Sequence, residues 1–168
     1  MSMKHRIAVA ALAATVLLSS ACSTRAPAPE PAHDSASPPL PSRLVEVLSG
    51  DGLFPFGKSS LEDFSPEGLQ ALDALVERLR QRPVAEINVI GHSDRIGNAE
   101  ANRRLSLRRA EAVRDYLVAE GIDEDQLTVA GWGSESPLVD CEGERAQALV
   151  DCLAPNRRVE LKIRFAPH

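Results

Sequence analysis

Asp94, Asn102 and Arg109 have the types and spacing to hold a charged small molecule. Asp94 lies just past an apolar run, in a loop that leads into a long helical pattern. Asn102 and Arg109 are seven positions apart on that pattern and so share one helix face. An acid from the loop and a guanidinium from the helix can then face one pocket. Such a pair suits a zwitterion, with carboxylate to ammonium and guanidinium to carboxylate, the second contact often bidentate. The same spacing equally allows a structural Asp94–Arg109 salt bridge with no ligand. His92-Ser93-Asp94 contains the residue types of a hydrolytic triad, but neighbours on a strand point to opposite faces and cannot form a relay by themselves. The remaining histidines are His5, His33 and His168, near or outside the ends of any domain. No enzyme activity, catalytic residue, cofactor or metal site is expected.

The elements that must position these residues can be read from periodicity. Leu44, Val45, Val47 and Leu48 suggest a first strand. Ser65-Pro66-Glu67 is a helix start, with Ser as N-cap and Pro in the first helical position. Leu69, Leu72, Leu75, Val76 and Leu79 then recur at helical spacing, ahead of Pro83. Ala85 to Gly91 is rich in β-branched residues and reads as a strand. Asn98 to Glu120 reads as a second helix, with Leu105, Val113, Tyr116 and Leu117 as core candidates and Gly121 as its stop. Leu127 to Gly131 reads as a third strand. Val159, Leu161, Ile163 and Phe165 alternate as a final one. The order β-α-β-α-β-β predicts an α/β two-layer sandwich, with helices on one face of a mixed four-stranded sheet. The basic run Arg103, Arg104, Arg108, Arg109 and Arg114 is interleaved with Glu100, Glu111 and Asp115, a pattern of solvated helix charges and i,i+4 pairs. Trp132, between two glycines, is either a packed loop residue or a platform for a sugar ring.

What precedes that domain bears on where it works. Lys4-His5-Arg6, an apolar run from Ile7 to Leu18 and the small residues Ser19-Ser20-Ala21 have the layout of a secretory signal peptide over residues 1–21. The run is shorter than the about 20 residues a spanning helix needs. Removing Lys4 and Arg6 with it takes the formal charge from −5 to −7. A mildly acidic domain is a poor general partner for nucleic acid, whose binding rests on positive surface. Residues 22–42 hold six of the twelve prolines and read as an extended spacer, which reaches about 3 Å per residue. The folded domain is expected over residues 43–168. Ten residues separate Cys141 from Cys152, and in an oxidising periplasm two thiols so close are expected to pair. Two unpaired buried thiols are the other possibility, and a metal site lacks companion ligands.

Two resemblances sharpen this. Ser20-Ala21-Cys22 resembles the end of a bacterial lipoprotein signal, although Ser19 stands where that pattern usually has Leu. The resemblance implies Cys22 as the acylated first mature residue, with palmitate-type chains as the anchor, and Ser23 behind it implies sorting to the outer membrane. Further on, Gly91-His-Ser-Asp-Arg-Ile-Gly97, Asn102, Leu105-Ser106, Arg108-Arg109-Ala110, Val113, Tyr116-Leu117, Gly121-Ile122, Gly131-Trp-Gly-Ser-Glu-Ser-Pro137 and Asn156-Arg-Arg-Val-Glu160 resemble the OmpA-like domain over most of residues 45 to 165. That domain occurs at the C-terminus of OmpA and in peptidoglycan-associated lipoproteins. The stretch from Cys141 to Arg158 is especially similar to OmpA, where the equivalent cysteines form a disulfide. The resemblance implies binding to the diaminopimelate of the peptidoglycan stem peptide, with Asp94 taking the ligand's ammonium, Arg109 its carboxylate and Asn102 in support. The family often carries acids in a Phe-Asp-Phe-Asp-type stretch, where this chain reads Phe54-Pro55-Phe56-Gly57. The other function to weigh is a periplasmic protein-interaction module of an envelope complex, with wall binding secondary.

Overall fold

The computed structural model describes residues 41–55 and 57–167. The expected leader, Cys22 and most of the spacer lie outside the described residues. Pro41 and Ser42, read above as the end of the spacer, already bond to the domain through their carbonyls, which accept from Arg82 Nη1 and Phe165 N.

Strands β1 (Arg43–Ser49), β2 (Val84–His92), β3 (Leu127–Gly131) and β4 (Arg158–Phe165) form one sheet in the order β1-β4-β2-β3. The β1–β4 and β4–β2 pairs are antiparallel, and β2–β3 is parallel. This is the mixed four-stranded sheet expected. Helices α2 (Pro66–Arg80) and α3 (Ala99–Ala119) supply its apolar cover. Ser65 caps α2 by accepting from Gly68 N at 2.9 Å, with Pro66 in the first turn, and Asn98 caps α3 by accepting from Ala101 N at 3.0 Å. Leu72, Leu75, Val76 and Leu79 of α2 and Val113 and Leu117 of α3 pack with Ile87, Val89, Leu161 and Ile163 of the sheet in one buried core. Leu69 is exposed. Leu105 and Tyr116 are only half-buried, and the Tyr116 hydroxyl bonds to Asp73.

Two short helices, α1 (Gly50–Leu53) and α4 (Ala146–Cys152), are additional to the expected order. Neither is long enough to show an apolar period, so periodicity could not report them. The other sheet face carries Val45 and Val47, both more than half exposed, beside the charged alternates of β4. At the far end of that face the loop after β3 folds over. Trp132 meets His92 edge-on at 5.5 Å between ring centres, and Lys162 Nζ sits 5.4 Å from the Trp132 ring. The indole is thus a packed loop residue with 37% of its surface left open.

Backbone contact sets the distance between α3 and the sheet. Gly91 and Gly131 are cross-strand partners. A Cβ on Gly91 would lie 1.9 Å from the Ser106 carbonyl oxygen, and one on Gly131 would lie 2.6 Å from Leu107 N. Only glycine permits so close an approach. Ser106 completes the seam, its hydroxyl donating to the Arg103 carbonyl and accepting from Gly133 N, each at 2.9 Å.

Candidate functional site

The sheet register brings three chain segments to one edge. Ser49, Arg158 and His92 are aligned across β1, β4 and β2. The residues just past that line are therefore neighbours: Asp51 beyond β1, Arg157 before β4, and Asp94 beyond β2. Gly50 N donates to the Arg157 carbonyl at 2.8 Å, which draws α1 against the start of β4.

Asp94 is 9% exposed. Its Oδ1 accepts from Ile96 N at 2.9 Å and its Oδ2 from Arg157 Nη1 at 2.7 Å. Asn102 does not reach the carboxylate. Its Nδ2 donates to the carbonyls of Asp94 at 3.0 Å and Ile96 at 2.9 Å, and so ties the loop to the first turns of α3. Asn102 positions the loop that presents Asp94.

Arg109 is 5% exposed. Its Nε donates to the Lys58 carbonyl at 3.1 Å and its guanidinium carbon stands 5.3 Å from the centre of the buried Phe54 ring. It makes no ion pair with any carboxylate among the described residues, so the salt bridge that spacing allowed between Asp94 and Arg109 is not formed. Burial first, then the neighbouring Arg157 charge, pull the Arg109 pKa below the ordinary arginine value, while Asp51 and Asp94 oppose this from a distance. An arginine stays charged under all such shifts in water-accessible proteins. A buried cation without an ion partner is costly, and its remaining donors suit an incoming carboxylate.

The residue that does pair with Asp94 was missed as a site member. Arg157 donates from Nε and Nη2 to Asp51 at 2.7–3.0 Å, and from Nη1 to both Asp94 and the Val150 carbonyl, the latter at 3.0 Å. Hydrogen bonds to Asp51 and then Asp94 push its pKa well above the ordinary arginine range. The signal was present in Asn156-Arg157-Arg158, but nothing local says which arginine turns toward Asp94. Arg158 turns the other way. It is 3% exposed and pairs with Glu160 at 2.7 Å. Asn156, 2% exposed, fixes the loop before α4 by bonding Leu138 N, Val139 N and the Val139 carbonyl.

Cys141 and Cys152 form a disulfide that closes this loop. Arg95, next to Asp94, donates to the Asp140 carbonyl at 2.9 Å and so ties the same loop to the site. His92 is 1% exposed beneath the loop after β3 and belongs to the core. The basic run on α3 divides: Arg104 pairs with Glu100 and Arg114 with Asp115, as solvated helix charges do, whereas Arg109 is buried. Phe56, of the Phe54-Pro55-Phe56-Gly57 stretch, lies outside the described residues; Gly57 beside it is exposed.

The fold and this edge define an α/β domain that presents a part-buried cluster of two carboxylates and two guanidinium groups. The chain belongs to the OmpA family, which it matches over residues 53–150. It is 40% identical over 146 residues to an outer membrane protein A from Yersinia pseudotuberculosis, a match covering 79% of this chain and 40% of that protein. The chain therefore spans well under two thirds of that relative's length. Among solved structures it is similar to the cell wall anchor of the T6SS from Pseudomonas aeruginosa, with TM-score 0.61 and 27% identity over 74% of this chain and 82% of that one. The peptidoglycan-associated lipoprotein from Burkholderia pseudomallei shares the fold, with TM-score 0.51 and 24% identity over 70% of this chain and 89% of that one.

Proposed function

We propose that this domain binds peptidoglycan non-covalently through the diaminopimelate of the stem peptide. Asp94 takes the ligand's ammonium, Arg109 takes its carboxylate, and Asn102 holds the Asp94 loop in place. The observation that carries this reading is Arg109: a buried guanidinium on a rigid helix, tethered only through Nε and without an ion partner among the described residues. Its planar fork matches a carboxylate. Family membership and the likeness to a cell wall anchor support the same ligand class. With Cys22 acylated and residues 22–42 as a spacer, the protein tethers the outer membrane to the wall from the periplasmic side. No helix among the described residues is long and apolar enough to cross a membrane. The role is binding without catalysis.

Co-sedimentation with purified sacculi tests this. The wild-type protein is expected to pellet, and Asp94→Ala and Arg109→Ala to remain largely in the supernatant. Loss of one partner of a buried charge contact typically costs 2–5 kcal/mol, so the drop should be about thirtyfold or more. A wild-type protein left in the supernatant would reject wall binding and favour an envelope protein-interaction module instead. Two mutants that still pellet would reject this site. Release of soluble muropeptides in the same tubes would show an activity not expected here.

A further inference from the structure

The cluster contains more charge than a zwitterion needs, and this points to what sets its selectivity. We infer that Asp51, acting through Arg157, makes the site selective for a zwitterion over a plain anion. This inference rests on the reading of Asp94 and Arg109 given above.

Arg157 is a fixed post. One edge of its guanidinium is held bidentately by Asp51, and Nη1 is shared between Asp94 Oδ2 and the Val150 carbonyl of α4. A side chain held on these sides does not swing away when a ligand arrives. An ammonium seated on Asp94 therefore has a guanidinium as its neighbour. Without Asp51, the site would hold one negative group, Asp94, against two positive ones, Arg109 and Arg157. Such a site would draw dicarboxylates and repel ammonium groups. Asp51 restores balance, with two carboxylates against two guanidinium groups, so Asp94 keeps its attraction for a cation while Arg109 keeps its own for an anion. The Asp51 side chain is 47% exposed and its side-chain bonds among the described residues all go to Arg157. Its carboxylate contributes charge here with little packing, which makes Asp51→Asn a clean removal of one charge. Asp51 is a positioning and charge-balancing residue that need not touch the ligand.

The test compares two probes on the full chain by titration: meso-diaminopimelate, and pimelate, the same dicarboxylate without its ammonium groups. Wild type is expected to prefer diaminopimelate. In Asp51→Asn the affinity for diaminopimelate should fall about tenfold, the scale of one unit charge a few Å away in a partly screened site, while pimelate is held as well or better. The double variant Asp51→Asn with Arg157→Gln removes one charge of each sign and should recover most of the lost preference. A merely structural role predicts the opposite, since removing both partners would be no better than removing one. The inference fails if Asp51→Asn changes both probes equally or neither, or if the double variant is worse than the single. If wild type binds neither probe, the zwitterion reading falls and takes this inference with it. If wild type prefers diaminopimelate and Asp51→Asn keeps that preference undiminished, only the inference falls.

Discussion

Asp94 and Arg109 approach the same ligand space from opposite energetic situations. Asp94 is already paired, so a ligand adds to an existing network. Arg109 is buried and without an ion partner among the described residues, so a ligand relieves it. Arg109→Lys should therefore be a poor substitute despite equal charge. A lysine cannot keep one donor on the Lys58 carbonyl and also offer a fork to a carboxylate. Diaminopimelate affinity should fall about tenfold or more, on the scale of a lost charged hydrogen bond; an unchanged affinity would mean that charge alone matters. His92 provides a second residue-level prediction. Its Nδ1 lies 3.4 Å from the Glu135 carbonyl, and its Nε2 is enclosed without a hydrogen bond, 3.7 Å from Glu160 Oε1. Burial, then Arg158, lowers its pKa below the ordinary value of 6.5; Glu160 opposes this, and Lys162 adds to it. The folded state thus binds fewer protons than the unfolded chain as the pH falls below 6.5. Stability from this group is complete above that value and is lost as pH falls toward the lowered pKa. Thermal melts at pH 7.5 and 5.5 should show a fall in wild type that is smaller in His92→Gln. Parallel profiles would exclude His92 as the cause.

At the scale of elements, the site depends on how closely α3 lies on the sheet. Asn102 and Arg109 ride on α3, whereas Asp94 is fixed to the end of β2. The backbone contact at Gly91 sets their separation. Gly91→Ala would drive a methyl group into the Ser106 carbonyl, where no flexible side chain can give way. The expected loss is about 3 kcal/mol, the upper part of the usual range for overpacking, read from the denaturation midpoint. Any folded fraction should also bind diaminopimelate more weakly, because α3 must retreat with Arg109. The α4 loop is a second support, since Val150 and Asp140 offer carbonyls to Arg157 and Arg95 on either side of the disulfide. Cys141→Ser with Cys152→Ser should cost roughly 3 kcal/mol on the chain-entropy view of so short a loop, measured by chemical denaturation. Weaker ligand binding in the folded double variant would show that the loop supports the site.

At the scale of the whole molecule, the proposed tether needs both ends. Cys22→Ser in the full chain is expected to move the protein from the outer-membrane fraction to the soluble periplasmic fraction without altering sacculus binding in vitro. Retention in the membrane fraction would argue for another anchor. The chain spans 40% of its Yersinia relative, and these expectations concern the matched part alone.

By itself, the sequence determined the parts that local patterns encode. Helical spacing placed α2, core candidates and the Gly121 stop placed α3, β-branched enrichment placed β2 and alternation placed β4, the Ser65 cap marked the start of α2, and the spacing of Asp94, Asn102 and Arg109 put an acid and a guanidinium at one helix-loop junction. Only the tertiary structure decided that Asp94 pairs with Arg157 instead of Arg109, that Asn102 holds a backbone loop, and that Asp51 joins the cluster. Arg157 and Asp51 are 63 and 106 positions from their partners in that network. No periodicity spans such separations. They meet because the β1–β4–β2 register ends three segments at one edge, and register is a property of the assembled sheet. Of the two arginines in Asn156-Arg157-Arg158, the strand pleat turns one toward Glu160 and the chain just before the strand turns the other toward Asp94, a choice made by sheet geometry and not by residue type.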